Sequence, residues 1–116
     1  MGFRAMLATA VLAVGLMGMA QPATADVRMF VRHEVADYGN WRKAYDAFDA
    51  TRRKLGVISQ SVYRSADDPN DITVVHDFRP LEQAKAFAAS AELKSAMENA
   101  GVKGPPQIWY TTHAPK

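Results

Sequence analysis

The sequence predicts an α+β domain in which a four-stranded antiparallel sheet carries helices on one of its faces. The hydrophobic period switches between two and about 3.6 along the chain, and the segments follow in the order strand, helix, strand, strand, helix, strand. No internal repeat or low-complexity linker interrupts residues 26–116, which indicates a single domain. This connectivity predicts the spatial strand order fourth, first, third, second.

The first 25 residues are predicted to be a secretory signal peptide and are set apart from the domain at 26–116. Arg4 gives a positive start, residues 5–20 are apolar or small, and Ala23-Thr24-Ala25 forms a cleavage site. An uncleaved membrane anchor is the less favoured alternative, because this run is shorter than the roughly 20 residues that span a bilayer. We therefore expect a mature chain that begins at Asp26 and is periplasmic or secreted.

Composition excludes several kinds of chemistry. The 116 residues include no cysteine, so disulfides, thiolate metal sites and cysteine nucleophiles are excluded. The formal net charge of +2 falls further when Arg4 leaves with the signal peptide. A nearly neutral domain is a poor match for nucleic acid or for an acidic membrane surface.

The first strand and the first helix follow from the spacing of apolar residues. Residues 27–35 alternate with period two, which predicts a strand. Asp37 can cap a helix that ends at Gly56. The stripe of this helix, at spacings of three and four, consists of Trp41, Ala44, Tyr45, Phe48, Arg52 and Leu55.

The second half of the domain is predicted to be a hairpin, a helix and a final strand. Residues 57–65 and 72–78 form the hairpin around the turn at 67–70. Pro80 opens the second helix, Ser90 can cap a further helical segment, and Gly101 ends it. Gly104-Pro105-Pro106 favours extended chain, so the last strand is predicted over 107–112.

This order predicts a ferredoxin-like βαββαβ fold with one sheet face left uncovered. The more apolar alternation is predicted to face the helices: Val27, Met29, Val31, Val35, Ile72, Val74, Phe78, Ile108 and Tyr110. The other alternation still carries four large apolar groups: Phe30, Tyr63, Val75 and Trp109. An apolar face without helices predicts a homodimer joined sheet to sheet.

Several segments resemble the antibiotic biosynthesis monooxygenase-like family of the dimeric α+β barrel superfamily. The resemblance spans nearly all of residues 29–113 and rests on 31–38, Trp41-Arg42, Tyr45-Asp46, Arg52, Gly56-Val57, 67–71, 104–106 and Ile108-Trp109. It implies a dimeric barrel of ferredoxin-like protomers that holds a small, often aromatic ligand. Related barrels include cofactor-independent monooxygenases, polyketide cyclases and haem-degrading enzymes, so the resemblance implies the fold more sharply than the activity.

The resemblance does not extend to the haem-degrading branch, which pairs a helical histidine with an asparagine and a tryptophan. All three histidines here, His33, His76 and His113, lie on or beside predicted strands. No metal-binding motif, glycine-rich phosphate loop or nucleophile elbow is present in the sequence. We therefore expect neither a metal nor another cofactor, and Trp41 is interpreted as part of the core.

The uncovered sheet face supplies the predicted site. Aromatic surface with a few polar groups is typical of a small-molecule pocket, and Phe30, Tyr63, Val75 and Trp109 are predicted to contact the ligand. Arg32 or His113 can stabilise an enolate or phenolate, and Glu34 or Asp77 can take a proton. The structural alternative is that such groups only pair across strands, as Arg28 and Asp77 can.

Two functions remain open at this point. The first is an exported, cofactor-independent monooxygenase or cyclase that acts on a small aromatic or polyketide-like compound. The second is a non-catalytic dimeric barrel that binds a small hydrophobic ligand in the cell envelope. If Arg32 and Glu34 neutralised each other with no cavity beside them, the second would be favoured.

Overall fold

The computed structural model describes residues 27–116, which form one antiparallel sheet with helices on one face. The predicted signal peptide and its cleavage before Asp26 lie outside the described residues. In chain order the elements are β1 (Val27–Val35), α1 (Tyr38–Ala47), α2 (Asp49–Lys54), β2 (Ser59–Arg64), β3 (Asp71–Phe78), α3 (Leu81–Ala88), α4 (Ala91–Asn99) and β4 (Val102–Thr112).

The sheet has the strand order β2-β3-β1-β4, which confirms the predicted α+β ferredoxin-like topology. All three neighbouring pairs are antiparallel, and Phe30 of β1 lies between Val75 of β3 and Trp109 of β4. The predicted caps are also observed, since Asp37 accepts a hydrogen bond from the Asn40 N–H and Ser90 accepts one from the Leu93 N–H.

The largest differences from the prediction are in the first helix and the last strand; β2 is also shorter than the predicted 57–65, and β3 begins at Asp71 rather than at residue 72. The predicted first helix is divided in two, and Phe48 at the junction donates its N–H to the carbonyls of both Ala44 and Tyr45. β4 begins at Val102 rather than at residue 107, because β4 is an edge strand, and an edge strand tolerates the missing N–H groups of Pro105 and Pro106. A register shift between Arg32 and Glu34 accommodates this longer strand.

The core lies between the sheet and the helices, as the alternation predicted. Met29, Ile72 and Phe78 are fully buried there. Three polar side chains share this apolar layer, since His33 is 7% exposed, His76 is 3% exposed and Arg52 is 1% exposed. Among residues 27–116 no helix is long and apolar enough to cross a membrane.

Candidate ligand cavity between helices and sheet

A cavity of about 40 Å³ lies between the sheet and the helices. Strands β1 and β3 form its floor, with His33 and His76 among the lining residues. The helices supply the walls, mainly with large side chains: Trp41, Tyr45, Phe48, Arg52, Phe87 and Met97. This volume corresponds to about two or three water molecules, well below the ~150 Å³ of an engineered cavity that accepts benzene.

Four buried nitrogen atoms of the residues that line the cavity have no hydrogen-bond partner within residues 27–116. They are Nδ1 and Nε2 of His33, Nδ1 of His76 and Nε of Arg52. An unsatisfied buried polar group typically costs about 1–3 kcal/mol, so native proteins pair most such groups with protein, water or ligand. All four belong to three side chains that line one small, largely apolar cavity, where water or a ligand group would satisfy them.

Aromatic rings and a buried cation hold the polar groups in position. The Tyr45 hydroxyl lies 3.2 Å from Nε2 of His76, and its ring stacks on Trp41 with the centroids 4.8 Å apart. The Arg52 guanidinium carbon lies 3.7 Å from the centre of the Tyr45 ring, a cation–π contact. Arg52 also donates hydrogen bonds to the Tyr45 carbonyl and to Asp49.

Burial keeps both imidazoles neutral near pH 7. Desolvation lowers the pKa of His33 from 6.5 to about 4, although the nearby Asp71 carboxylate opposes this shift. Desolvation likewise lowers the pKa of His76 to about 3, and the positive charge of Arg52 adds to this effect. Burial raises the pKa of Tyr45 to about 12, so its phenol stays protonated.

The cavity therefore places neutral imidazoles beside the Arg52 guanidinium, whose charge is partly balanced by the Asp49 carboxylate at 3.2 Å. A neutral imidazole carries one donor and one acceptor nitrogen, and Arg52 can stabilise negative charge that develops on a ligand oxygen. No carboxylate lines the cavity among the described residues. Nor do residues 27–116 contain a cluster of three or more His, Cys, Asp or Glu side chains that could hold a metal ion.

The structure places the predicted site residues on the other face of the sheet. Phe30, Arg32, Tyr63 and Trp109 line one open groove, where Phe30 and Trp109 stack with their centroids 5.1 Å apart. Arg32 donates two hydrogen bonds to Asp71, at 3.1 and 2.7 Å, so its partner is Asp71 rather than Glu34. These bonds lower the pKa of Asp71.

The other predicted acid and base groups lie away from that groove. Asp77 and His113 line a second groove at the end of the sheet, together with Arg28. Arg28 donates to Asp77 at 2.8 Å, which is the cross-strand pair that the alternative interpretation named. Glu34 lines neither groove, and a hydrogen bond with Asp68 raises its pKa.

Val75 departs from the prediction that all four apolar groups of this face are uncovered. It is only 7% exposed, whereas Tyr63 is 57% and Trp109 is 42% exposed. Val75 lies in β3, a central strand, between Phe30 of β1 and Ser61 of β2. Because it has neighbours on both adjacent strands, their side chains can cover the small valine side chain.

Sequence reasoning missed the cavity residues on the helix-facing side. Two signals were available, since His33 and His76 interrupt otherwise apolar alternations and Arg52 stands on the apolar stripe of the first helix. Polar groups on a buried face need partners. That requirement distinguishes His33, His76 and Arg52 from apolar core residues.

Comparison with solved structures identifies proteins that share this fold. SnoaB, a cofactor-independent oxygenase from Streptomyces nogalater, is 11% identical and matches 80% of this chain and 97% of its own, with a TM-score of 0.64. A putative antibiotic biosynthesis monooxygenase from Caulobacter crescentus is 15% identical over 78% of this chain and 92% of its own, with a TM-score of 0.63.

A third similar structure contains a ligand. The monooxygenase from the gene ActVA-Orf6 of Streptomyces coelicolor, in complex with nanaomycin D, is 18% identical over 79% of this chain and 90% of its own, with a TM-score of 0.60. No protein-family model and no curated protein matches this chain. The predicted resemblance is thus confirmed in three dimensions: the chain has the fold of the antibiotic biosynthesis monooxygenases.

Proposed function

We propose that the protein is a cofactor-independent monooxygenase that oxidises a small aromatic compound in the cavity between the helices and the sheet. The observation that carries this proposal is the set of four unpartnered nitrogen atoms around an aromatic-walled cavity. Shared fold with SnoaB and with the ActVA-Orf6 monooxygenase supports the reaction class. The nanaomycin D complex of the latter supports a small-molecule ligand, and the aromatic wall of the cavity supports an aromatic one.

The proposed chemistry uses the substrate itself as the reductant. A methylene activated by a conjugated ring carbonyl loses a proton to His33, whose pKa of about 4 in the empty cavity rises beside the enolate that forms, and Arg52 stabilises the same oxyanion. The carbanion then reacts with dioxygen. For an activated methylene, one oxygen atom becomes the new carbonyl and the other leaves as water, so that the four electrons lost by carbon reduce one dioxygen molecule.

The aromatic rings that line the cavity position the proposed substrate. Trp41 and Tyr45 form a stacked pair beside His33 and His76, and a planar molecule can lie against such a surface. Removing water around the developing charge strengthens its interaction with Arg52. Tyr45 and His76 act as positioning residues, because their 3.2 Å contact fixes one edge of the cavity.

The open face of the sheet is proposed to be covered by a second copy of the chain. Trp109 and Tyr63 expose large aromatic surfaces there, and an apolar patch of this kind is typical of an interface. The roles predicted for Arg32, Glu34, Asp77 and His113 stay a prediction, and in such a dimer these groups would lie in or beside the barrel. Export to the periplasm or outside the cell is part of the same proposal.

Oxygen consumption tests the proposed reaction. Purified dimer without added metal, flavin or haem is incubated with anthrone-like and phenolic compounds, and oxygen uptake is recorded. His33→Gln is expected to slow uptake strongly, while Ile58→Ala, an exposed position that does not line the cavity, is the matched control. A ligand that binds in the cavity without any oxygen uptake across the panel would refute catalysis and establish the non-catalytic binding protein instead.

A further inference from the structure

The side chain of Met97 lies where the buried cavity and the protein surface meet. It lines the cavity itself. It also lines two surface grooves between α4 and β4, one of about 430 Å³ and one of about 170 Å³. Leu93, one turn earlier on α4, lines the cavity and the larger groove. The two side chains therefore form a common wall between inside and outside.

This wall contains few bulky side chains, because α4 presents small residues to the cavity. The residues of α4 and its C-cap that line the cavity, at spacings of three and four, are Leu93, Ala96, Met97 and Ala100. Two of the four are alanines, so methionine and leucine alone provide bulk. Methionine is unbranched and adapts its shape at low cost.

Most other large side chains around the cavity are held more firmly; Phe48 is half-buried like Met97, but it lines neither α4–β4 groove. Trp41 and Phe87 are buried. Arg52 is fixed by its hydrogen bonds to Tyr45 and Asp49, and Tyr45 is fixed by His76. Met97 is half-buried, and as a thioether its side chain makes only weak hydrogen bonds. Among the described residues of the wall, it is the one that can move with the smallest loss of contacts.

The volumes require some movement before an aromatic molecule can bind. The cavity of about 40 Å³ cannot hold a ring as it stands, whereas the outer groove of about 430 Å³ can. The groove is lined largely by apolar groups, including Ala88, Pro106 and Ile108. For a ring that rests in this groove, displacement of Met97 opens the wall and adds the space of its side chain to the cavity.

We propose that Met97 is the gate of the cavity, and that its side chain admits planar apolar molecules from the groove between α4 and β4 and limits their size. The class of ligand rests on the proposed function, but the gate itself does not. A rotamer change of one side chain is fast compared with catalysis. The gate therefore sets which molecules enter rather than how fast the chemistry runs.

Quenching of Trp41 fluorescence by acrylamide tests the gate without any substrate. A Trp109→Phe background leaves Trp41 as the reporter within residues 27–116, and Trp109 lies on the opposite sheet face from the cavity. In that background Met97→Ala is expected to raise the quenching constant several-fold, while Met97→Leu, of similar volume, changes it little.

A second variant separates gating from general loosening of the core. Phe87 lines the cavity but neither α4–β4 groove, so Phe87→Leu enlarges the cavity without opening the wall. Equal quenching in Phe87→Leu and Met97→Ala would overturn the gate. So would a Met97→Ala variant, still folded by circular dichroism, whose quenching constant equals that of the parent.

The association rate of a probe ligand gives an independent readout. With 1-naphthol as the probe, Met97→Ala is expected to bind about tenfold faster, because access then needs no side-chain displacement, and Met97→Phe is expected to bind more slowly. Equal rates for all three proteins would overturn the gate. Changed quenching and binding in a protein that never consumes oxygen would leave the gate in place and refute the proposed monooxygenase, so the two failures are distinguishable.

Discussion

Acidification is expected to destabilise the domain through His33 and His76, well above the pH at which carboxylates titrate. Both imidazoles are neutral in the folded protein because burial lowers their pKa values from 6.5 to about 4 and about 3. In the unfolded chain each returns to about 6.5 and takes up a proton. The contribution of these neutral imidazoles to the free energy of unfolding is therefore fully present above pH 6.5, and it is lost as the pH falls toward their folded-state pKa values.

The size of this effect follows from the two shifts. One pKa unit corresponds to about 1.4 kcal/mol, so His33 contributes about 3 kcal/mol and His76 about 5 kcal/mol over the full range. Between pH 6.5 and 4.5 the two together remove about 5 kcal/mol, a large part of the ~5–15 kcal/mol stability of an ordinary domain. Asp71 and Asp77, whose pKa values are lowered from 3.8, contribute mainly below this window.

Urea unfolding at pH 7, 6, 5 and 4.5 measures this loss. The wild type is expected to lose up to about 2.7 kcal/mol per pH unit, the slope for two protons. His33→Gln and His76→Gln are each expected to halve the slope, whereas Gln107→Ala, which removes no titratable group from an exposed position, leaves it unchanged. A wild-type stability that is the same at pH 7 and at pH 5 would refute the assignment of two buried, neutral histidines.

Three further predictions concern the reaction, the assembly and the leader. Arg52→Lys keeps the charge but not the guanidinium geometry, and we expect the rate of oxygen uptake to fall by about 10²-fold. The affinity for 1-naphthol should fall by less. An unchanged rate would show that Arg52 is not part of the site. Tyr63→Ala combined with Trp109→Ala is expected to convert a dimer into a monomer in light scattering, with Ile58→Ala as control; a wild type that is already monomeric at micromolar concentration contradicts the interface. The intact mass of the exported protein is expected to correspond to a chain beginning at Asp26, and a full-length, membrane-bound product would restore the anchor interpretation.

Much of the fold can be predicted from the sequence because it depends on local pattern. Alternation in 27–35 and the hairpin around 67–70 specify the strands, and Asp37 and Ser90 mark where helices begin. The division between α1 and α2 could not be predicted in this way. The stripe continues unbroken through Phe48, and only the backbone hydrogen bonds distinguish the junction.

The site could be predicted less well, because it depends on contacts between distant segments. Tyr45 and His76 are 31 residues apart and meet only when α1 packs on β3. The pairing of Arg32 with Asp71 likewise depends on the register of β1 against β3. Periodicity indicates which face a residue occupies, but it does not indicate where packing leaves a cavity, so the sequence alone does not distinguish a cavity histidine from any other histidine on a strand.

Side-chain imidazole and indole signals in NMR distinguish a ligand bound between the helices and the sheet from one bound on the open face. The ¹⁵N-labelled protein is titrated with phenol, and the side-chain resonances of His33, His76, His113 and Trp109 are followed. We expect the His33 and His76 signals to shift with a common saturation curve while those of His113 and Trp109 stay in place. Shifts at Trp109 and His113 with unchanged signals from the two buried histidines would contradict it.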